Sequence, residues 1–362
     1  MVDRNFSGSS SCFKTPFALL FPLLTRVSKR ALLEDTNAIS YMAKMPFRIS
    51  RNRIMIKFHV WITNCLCTKI MFFGYLLLIL PFLKKIKQNS MKNKLYLFVF
   101  LLQVLALSVH AARVDTVFVK SPSMNREVKV VYILPDKAVA GNPQACPVIY
   151  LLHGYGGNAR TWMGVKPELP RIADEKGVIF ACPDGKNSWY WDSPRNSAYR
   201  YETFISSELV KYTDEHYATI PKKSARAISG LSMGGHGALW NAIRHSDIFG
   251  AAGSMSGGVD IRPFPDNWEM KKQLGELAAN EAVWDSHTVI NQVDKLKNGD
   301  LALIVDCGES DFFLDVNRNL HKRLLECKID HDFITRPGGH TGTYWNNSID
   351  YHILFFCKFF SR

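Results

Sequence analysis

Residues 228–240 read ISGLSMGGHGALW, four glycines with a serine among them where an apolar run gives way to a helical pattern. Glycine inside a helix costs roughly 1 kcal/mol relative to alanine, so these glycines need a reason. Gly230-Leu231-Ser232-Met233-Gly234 is a G-x-S-x-G pattern between a strand-like and a helix-like segment. In a sharp strand-to-helix turn the residues two before and two after the serine must lack side chains, because strand and helix approach there. Such a turn lifts the hydroxyl above the strand ends, and the helix N-terminus beside it favours developing negative charge. Ser232 is therefore the candidate nucleophile, and Gly235 and Gly237 are expected to keep the first helical turn slim.

A serine hydroxyl attacks poorly unless a base takes its proton. Downstream, VDCGESDFF offers two aspartates. Asp306 lies within a strand-like run, so its side chain must point to one face of the sheet. Asp311 lies in the loop beyond that run, on the rim where Ser232 is expected, and is the preferred acid; its other reading is a cap for the helix that follows. RPGGHTGTYW then places His340 on a glycine-bearing loop before the last helix, where a general base can reach the serine. His236 is four residues beyond Ser232 on the same helix, and His331 is at the far end of its strand. Neither is expected to face the hydroxyl.

A developing oxyanion needs backbone N–H groups aimed at one point. Met233, directly after the serine, should supply one. Tyr155, between Gly154 and Gly156 in the loop HGYGGNARTW, should supply the other. Trp189, Tyr190 and Trp191 follow the fourth strand's rim and can either line a substrate cleft or fill the core.

These residues need elements to carry them. After residue 113, strand-like and helix-like runs alternate, with eight candidate strands within DTVFVKS, VKVVYILP, CPVIYLLHG, GVIFACPDG, SARAISG, FGAAGSMSG, LALIVDCG and HDFITRPGG. Helical patterns cover 162–175, 202–216, 233–245, 314–327 and 344–360. The alternation predicts an α/β fold, a mostly parallel eight-stranded sheet with helices on both faces and an antiparallel edge at its start. The stretch 262–298 fits no strand; NWEMKKQLGELAANEAVW within it reads as helix and is expected as a cap near the site. The five cysteines after residue 112 fit no zinc or redox spacing, and those beside strand-like runs read as buried small hydrophobes.

The chain has 362 residues and a formal net charge of +13. Residues 1–90 hold 14 basic and 3 acidic residues, whereas 113–362 hold 29 of each, so the long C-terminal part makes no electrostatic case for nucleic acid. From Met91 the chain reads MKNKLYLFVFLLQVLALSVHAARVDT. Lys92 and Lys94, the apolar run Leu95 to Val109 and the small-residue site Val109-His110-Ala111 make a signal-peptide pattern over 91–112. A transmembrane span needs roughly twenty apolar residues, more than this run supplies. Residues 1–90, with the apolar run IMFFGYLLLILPFL, are a basic extension with two readings: a stretch upstream of a natural start at Met91 and outside the mature protein, or a membrane-inserted extension. Residues 113–362 are the expected catalytic domain, exported to periplasm or medium, with no stable membrane association.

Together, LLHGYGGNARTW, SWYWDSPRNSAYRYETFISSELVKYTDEHY, ISGLSMGGHGAL, VDCGESDFFLDVN and GGHTGTYW resemble the esterase D group of α/β-hydrolases, which includes S-formylglutathione hydrolases and tributyrin and feruloyl-type esterases. The resemblance covers about residues 115–360. It implies Ser232 as nucleophile, Asp311 as acid, His340 as base, and Tyr155 and Met233 as oxyanion donors, with no metal or cofactor. The expected activity is a serine carboxylesterase acting on acyl or carbohydrate esters through an acyl-enzyme. An acyltransferase with the same triad, or a thioesterase of the S-formylglutathione hydrolase type, is the alternative. The export signal departs from the cytosolic members, and glutathione is a cytosolic thiol.

Overall fold

The computed structural model describes residues 112–139 and 141–362. The expectations for residues 1–90, and for 91–112 apart from Ala112, lie outside the described residues.

All eight strands form: β1 (Arg113–Ser121), β2 (Arg126–Leu134), β3 (Val148–Leu152), β4 (Ile179–Pro183), β5 (Arg226–Leu231), β6 (Ala251–Met255), β7 (Ala302–Gly308) and β8 (Asp332–Arg336). They make one sheet in the order β1-β2-β4-β3-β5-β6-β7-β8. β2 pairs antiparallel with both β1 and β4, and every other pairing is parallel, so β2 alone runs against the rest. This is the α/β-hydrolase arrangement expected from the sequence.

The continuous apolar runs have a direct cause. Adjacent strand residues point to opposite faces, and both faces are covered. On one face Val130, Tyr132, Tyr150 and Ile228 pack with Phe204, Trp240 and Leu320 from three helical segments. On the other, Val131, Ile133, Ile149 and Ala227 pack with Trp162, Ile172, Ile349 and Phe356. Cys146 and Cys182 sit in these layers, Cys307 is buried as well, and all five cysteines among the described residues are free.

Two helical expectations need correcting. The pattern over 162–175 splits into Thr161–Val165 and Leu169–Lys176. Pro167 pushes Lys166 out of the helical region, and Lys166 adopts φ −131°, ψ 81°. NWEMKKQLGELAANEAVW is not one helix but short turns, Met270–Leu274, Leu277–Ala279 and Glu281–Ser286. Gly275 breaks it, with φ 86° and a Cβ position that would lie 2.5 Å from Asn280 Nδ2.

Strand order also explains where a site can form. From β3 the chain moves to β4 on one side; from β5 it moves to β6 on the other. The loops leaving β3 and β5 therefore diverge at their C-terminal ends and leave a crevice, the place where open α/β sheets bind ligands. Among the described residues no helix is long and apolar enough to cross a membrane.

Candidate active site

Ser232 sits at that crevice, between β5 and the helix Met233–Arg244. Its backbone adopts φ 56°, ψ −119°, outside the regions open to ordinary side chains, at a cost of about 1–3 kcal/mol. The glycines make the turn possible. A Cβ on Gly230 would lie 2.2 Å from Gly234 O, and one on Gly234 would lie 2.3 Å from Leu152 O. Gly235 meets Ser254 Oγ in the same way, as a slim first turn requires. Gly237 faces elsewhere: its Cβ would lie 2.3 Å from the Tyr190 ring.

The hydroxyl is not alone. Ser232 Oγ lies 2.8 Å from His340 Nε2. His340 Nδ1 lies 2.9 Å and 3.1 Å from the two Asp311 carboxylate oxygens. A carboxylate only accepts, so Nδ1 carries the proton and donates it. Nε2 is then the free acceptor facing the serine O–H, the tautomer a general base needs. The Asp311 side chain is fully buried and that of His340 is 17% exposed, so the contact is shielded while the ring edge stays open to a substrate.

Backbone hydrogen bonds hold these loops together. Glu309 N–H donates to Arg336 O at 2.9 Å and Ser310 N–H to Gly338 O at 2.8 Å. Gly308 must be glycine for this approach, since a Cβ there would lie 2.4 Å from Gly338 O. Asp311 is not the helix cap of the other reading: the N-cap of the helix Leu314–Glu326 is Phe313, which has no side-chain cap bond, and Asp311 Oδ1 instead accepts the Phe313 N–H at 2.9 Å in the turn before the helix. Asp306 faces away, as its strand position implied. It accepts from Tyr344, Ser348 and Arg336 under the last helix. Burial pushes its carboxyl above the usual range although Arg336 opposes this.

The rejected histidines are elsewhere. His236 is buried against Trp189 and Trp191, with Nδ1 3.0 Å from Gly258 O, and burial lowers its pKa to about 3. His331 precedes β8 and pairs with His321 at 2.7 Å.

The β3 loop meets the serine directly. A Cβ on Gly154 would be 2.8 Å from Leu231 Cδ1 and 3.3 Å from Ser232 Cβ. The Tyr155 and Met233 N–H groups have no protein acceptor among the described residues, as donors kept for a substrate oxygen would. Neighbouring amides are occupied: Gly156 N–H donates to Asn187 Oδ1 at 2.8 Å and Gly157 N–H to Gly154 O at 3.0 Å. Sequence reasoning missed two residues here, Asn187 and His153. His153 Nε2 accepts the Gly185 N–H at 2.9 Å, so Nδ1 must donate to Gly154 O at 2.7 Å. This buried imidazole ties the glycine loop after β3 to the loop after β4. Its place before the loop glycines was a signal available in the sequence.

Trp189, Tyr190 and Trp191 do not line a cleft. All three are buried to within 1%. Trp189 and Trp191 stack at 5.7 Å and meet His236 edge-on, while the Tyr190 hydroxyl donates to His153 O at 3.0 Å. Positive φ at Trp189 and Tyr190, 56° and 62°, marks the tight local turn that carries them. Aromatic groups missed by sequence reasoning surround the His340 ring instead. Phe312 is 51% exposed with its ring 4.3 Å from that of His340, and Trp345 meets the same imidazole edge-on at 4.9 Å. Trp268, from the segment expected as a cap, stacks on Phe312 at 5.8 Å.

Similarity to known proteins follows the same outline. An acetyl esterase of Caldicellulosiruptor saccharolyticus is 28% identical over 215 residues, covering 56% of this chain and 79% of that protein. A solved ferulic acid esterase is 27% identical with a TM-score of 0.59, covering 69% of this chain and all of that one. The Staphylococcus aureus fluorophosphonate-binding serine hydrolase F, solved with substrate bound, has the same fold with a TM-score of 0.63 at 22% identity, over 68% of this chain and 99% of its own. The family described as "Putative esterase" matches residues 121–356, and the chain belongs to that family of serine hydrolases acting on ester bonds.

Proposed function

We propose that Ser232, His340 and Asp311 hydrolyse carboxylic esters through an acyl-enzyme. The observation that carries this reading is the unbroken chain of contacts from the Asp311 carboxylate through His340 to the Ser232 hydroxyl. Ser232 Oγ attacks the ester carbonyl as His340 Nε2 takes its proton. The Tyr155 and Met233 amides donate to the oxyanion, each contributing about 3 kcal/mol. His340 then protonates the leaving alcohol. Water, deprotonated by the same nitrogen, cleaves the acyl-enzyme and restores the serine. Asp311 keeps the imidazole in its tautomer and stabilises the imidazolium. Short acyl groups, acetyl first, suit the resemblance to the acetyl esterase.

The test is hydrolysis of p-nitrophenyl acetate by the wild type and by Ser232→Ala. We expect the substitution to lower kcat by about 10⁴-fold or more. Equal rates would remove Ser232 from the mechanism.

The working enzyme is also proposed to be exported, on the strength of the n-region, h-region and small-residue site between Met91 and Ala112. Edman sequencing of the protein secreted by its native cell should start near Ala112. Recovery of mature protein carrying peptides from residues 1–60 would contradict it.

A further inference from the structure

The loop that carries His340, residues 337–341, holds two adjacent glycines, Gly338 and Gly339. Gly338 takes φ 138°, a conformation that residues with side chains rarely adopt. Such a segment does not set its own path, so the place of the imidazole depends on what fixes the two ends. At one end is Arg336, the last residue of β8. At the other the helix Gly342–Phe360 begins, with Thr341 as its N-cap and the Tyr344 N–H donating to Thr341 Oγ1 at 3.3 Å.

Both ends are tied to one carboxylate. Asp306, in β7, is fully buried. Its Oδ2 accepts from Arg336 Nη2, and its Oδ1 accepts from the Tyr344 hydroxyl. Ser348, one turn farther along the helix, donates to the same Oδ1 at 3.1 Å and accepts from Arg336 Nη2 at 2.6 Å. The Tyr344 ring carries its position to the loop. A Cβ on Gly338 would lie 2.6 Å from Tyr344 Cδ2, so the ring packs directly on the loop backbone. Gly338 O in turn accepts the Ser310 N–H at 2.8 Å, beside Asp311. Phenylalanine would fill this space as well as tyrosine does, so packing alone does not ask for a hydroxyl. What the hydroxyl adds is a directional bond to a carboxylate, about twice as strong as one between neutral groups.

We propose that Tyr344 and Asp306 are a positioning pair for His340, setting where the loop holds the imidazole between Asp311 and Ser232. Neither residue touches a substrate; both act through the loop. The proposal rests on the esterase reading for its effect on turnover, but the position of the imidazole can be read without turnover.

The experiment compares wild type, Tyr344→Phe and Ser348→Ala as full chains. Asp306 is left in place, because its loss would strand the Arg336 charge in a buried setting. Tyr344→Phe should lower kcat on p-nitrophenyl acetate about tenfold or more while KM stays within about twofold, as expected of a base displaced by a fraction of an ångström. Ser348→Ala removes a bond to the same carboxylate but leaves the Tyr344 contact with Gly338 intact. It should lower the thermal midpoint yet keep kcat within about twofold of the wild type. The second readout is the low-field proton resonance of His340 Nδ1–H, which donates to Asp311 and is identified by its loss in His340→Gln. It should move upfield in Tyr344→Phe and stay in place in Ser348→Ala. A Tyr344→Phe kcat within about twofold of the wild type, an equal loss of activity in Ser348→Ala, or a His340 resonance absent from the wild type or unmoved in Tyr344→Phe would overturn the inference. Should Ser232→Ala hydrolyse esters as fast as the wild type, the esterase reading falls, and a resonance that moves in Tyr344→Phe still supports the positioning pair.

Discussion

At the scale of single residues, the proposed acid, Asp311, offers the sharpest test, because its two contacts can be separated. Asp311 accepts from His340 Nδ1 and also from the Phe313 N–H. Asn in its place keeps the shape and an oxygen for Phe313, but it presents an NH₂ group or a neutral carbonyl to the imidazole. The proton then shifts toward Nε2, which leaves the serine without a base, and no carboxylate remains to stabilise the imidazolium. Asp311→Asn should lower kcat on p-nitrophenyl acetate by about 10⁴-fold while the thermal midpoint stays near that of the wild type. A kcat within tenfold of the wild type would mean that another carboxylate serves. Asp306 is no candidate: it is fully buried and held by Tyr344, Ser348 and Arg336. Trp189, Tyr190 and Trp191 show the other side of this scale. A large aromatic side chain suits a cleft wall and a core equally well, so residue type could not decide, and the pocket around His236 did.

At the scale of elements, what was legible in the sequence is what local pattern controls. G-x-S-x-G could be placed because a strand run precedes it and a helical run follows, and the 2.2 Å and 2.3 Å clearances at Gly230 and Gly234 are the steric demand that the pattern encodes. Asp311 was separable from Asp306 because β7 ends at Gly308, so one aspartate is inside the ladder and the other beyond it. What was not legible depends on packing between distant segments. The cap read as one helix because its periodicity is helical, yet Gly275 takes a left-handed conformation next to Asn280 and Arg195, a contact absent from any local window. Nor does any local signal show that Gly308 must lack a side chain. That follows only once β7 and β8 lie side by side and the loops bearing Asp311 and His340 are joined through Gly338. The link from His153 through Gly154 to the serine is of the same kind: each residue was visible, but their mutual distance was not.

At the scale of the whole molecule, buried titratable groups away from the site set how the fold responds to acid. His236 and His352 are both fully buried, and burial lowers the pKa of each to about 3. In the unfolded chain they titrate near 6.5. As pH falls below that value the unfolded state takes up two protons that the folded state refuses, so stability must fall with pH. The slope tends toward about 2.7 kcal/mol per pH unit until the folded pKa values are reached. Glu202 adds a second window. Burial alone would raise its carboxyl pKa, but bonds from His245, Arg244 and Trp240 outweigh this and hold it at about 2. Its contribution is complete above the unfolded carboxyl pKa near 4.5 and is lost as pH falls toward 2. Urea denaturation from pH 8 to pH 4 should therefore show stability nearly flat at the alkaline end and declining steeply below about pH 6. His352→Gln should make that slope clearly shallower between pH 6 and 4.5, whatever it does to the absolute stability, because an amide cannot take up the proton. Unchanged slopes in that variant would mean that the His352 imidazole is already protonated in the folded protein, against the apolar setting that holds it between β6 and the last helix.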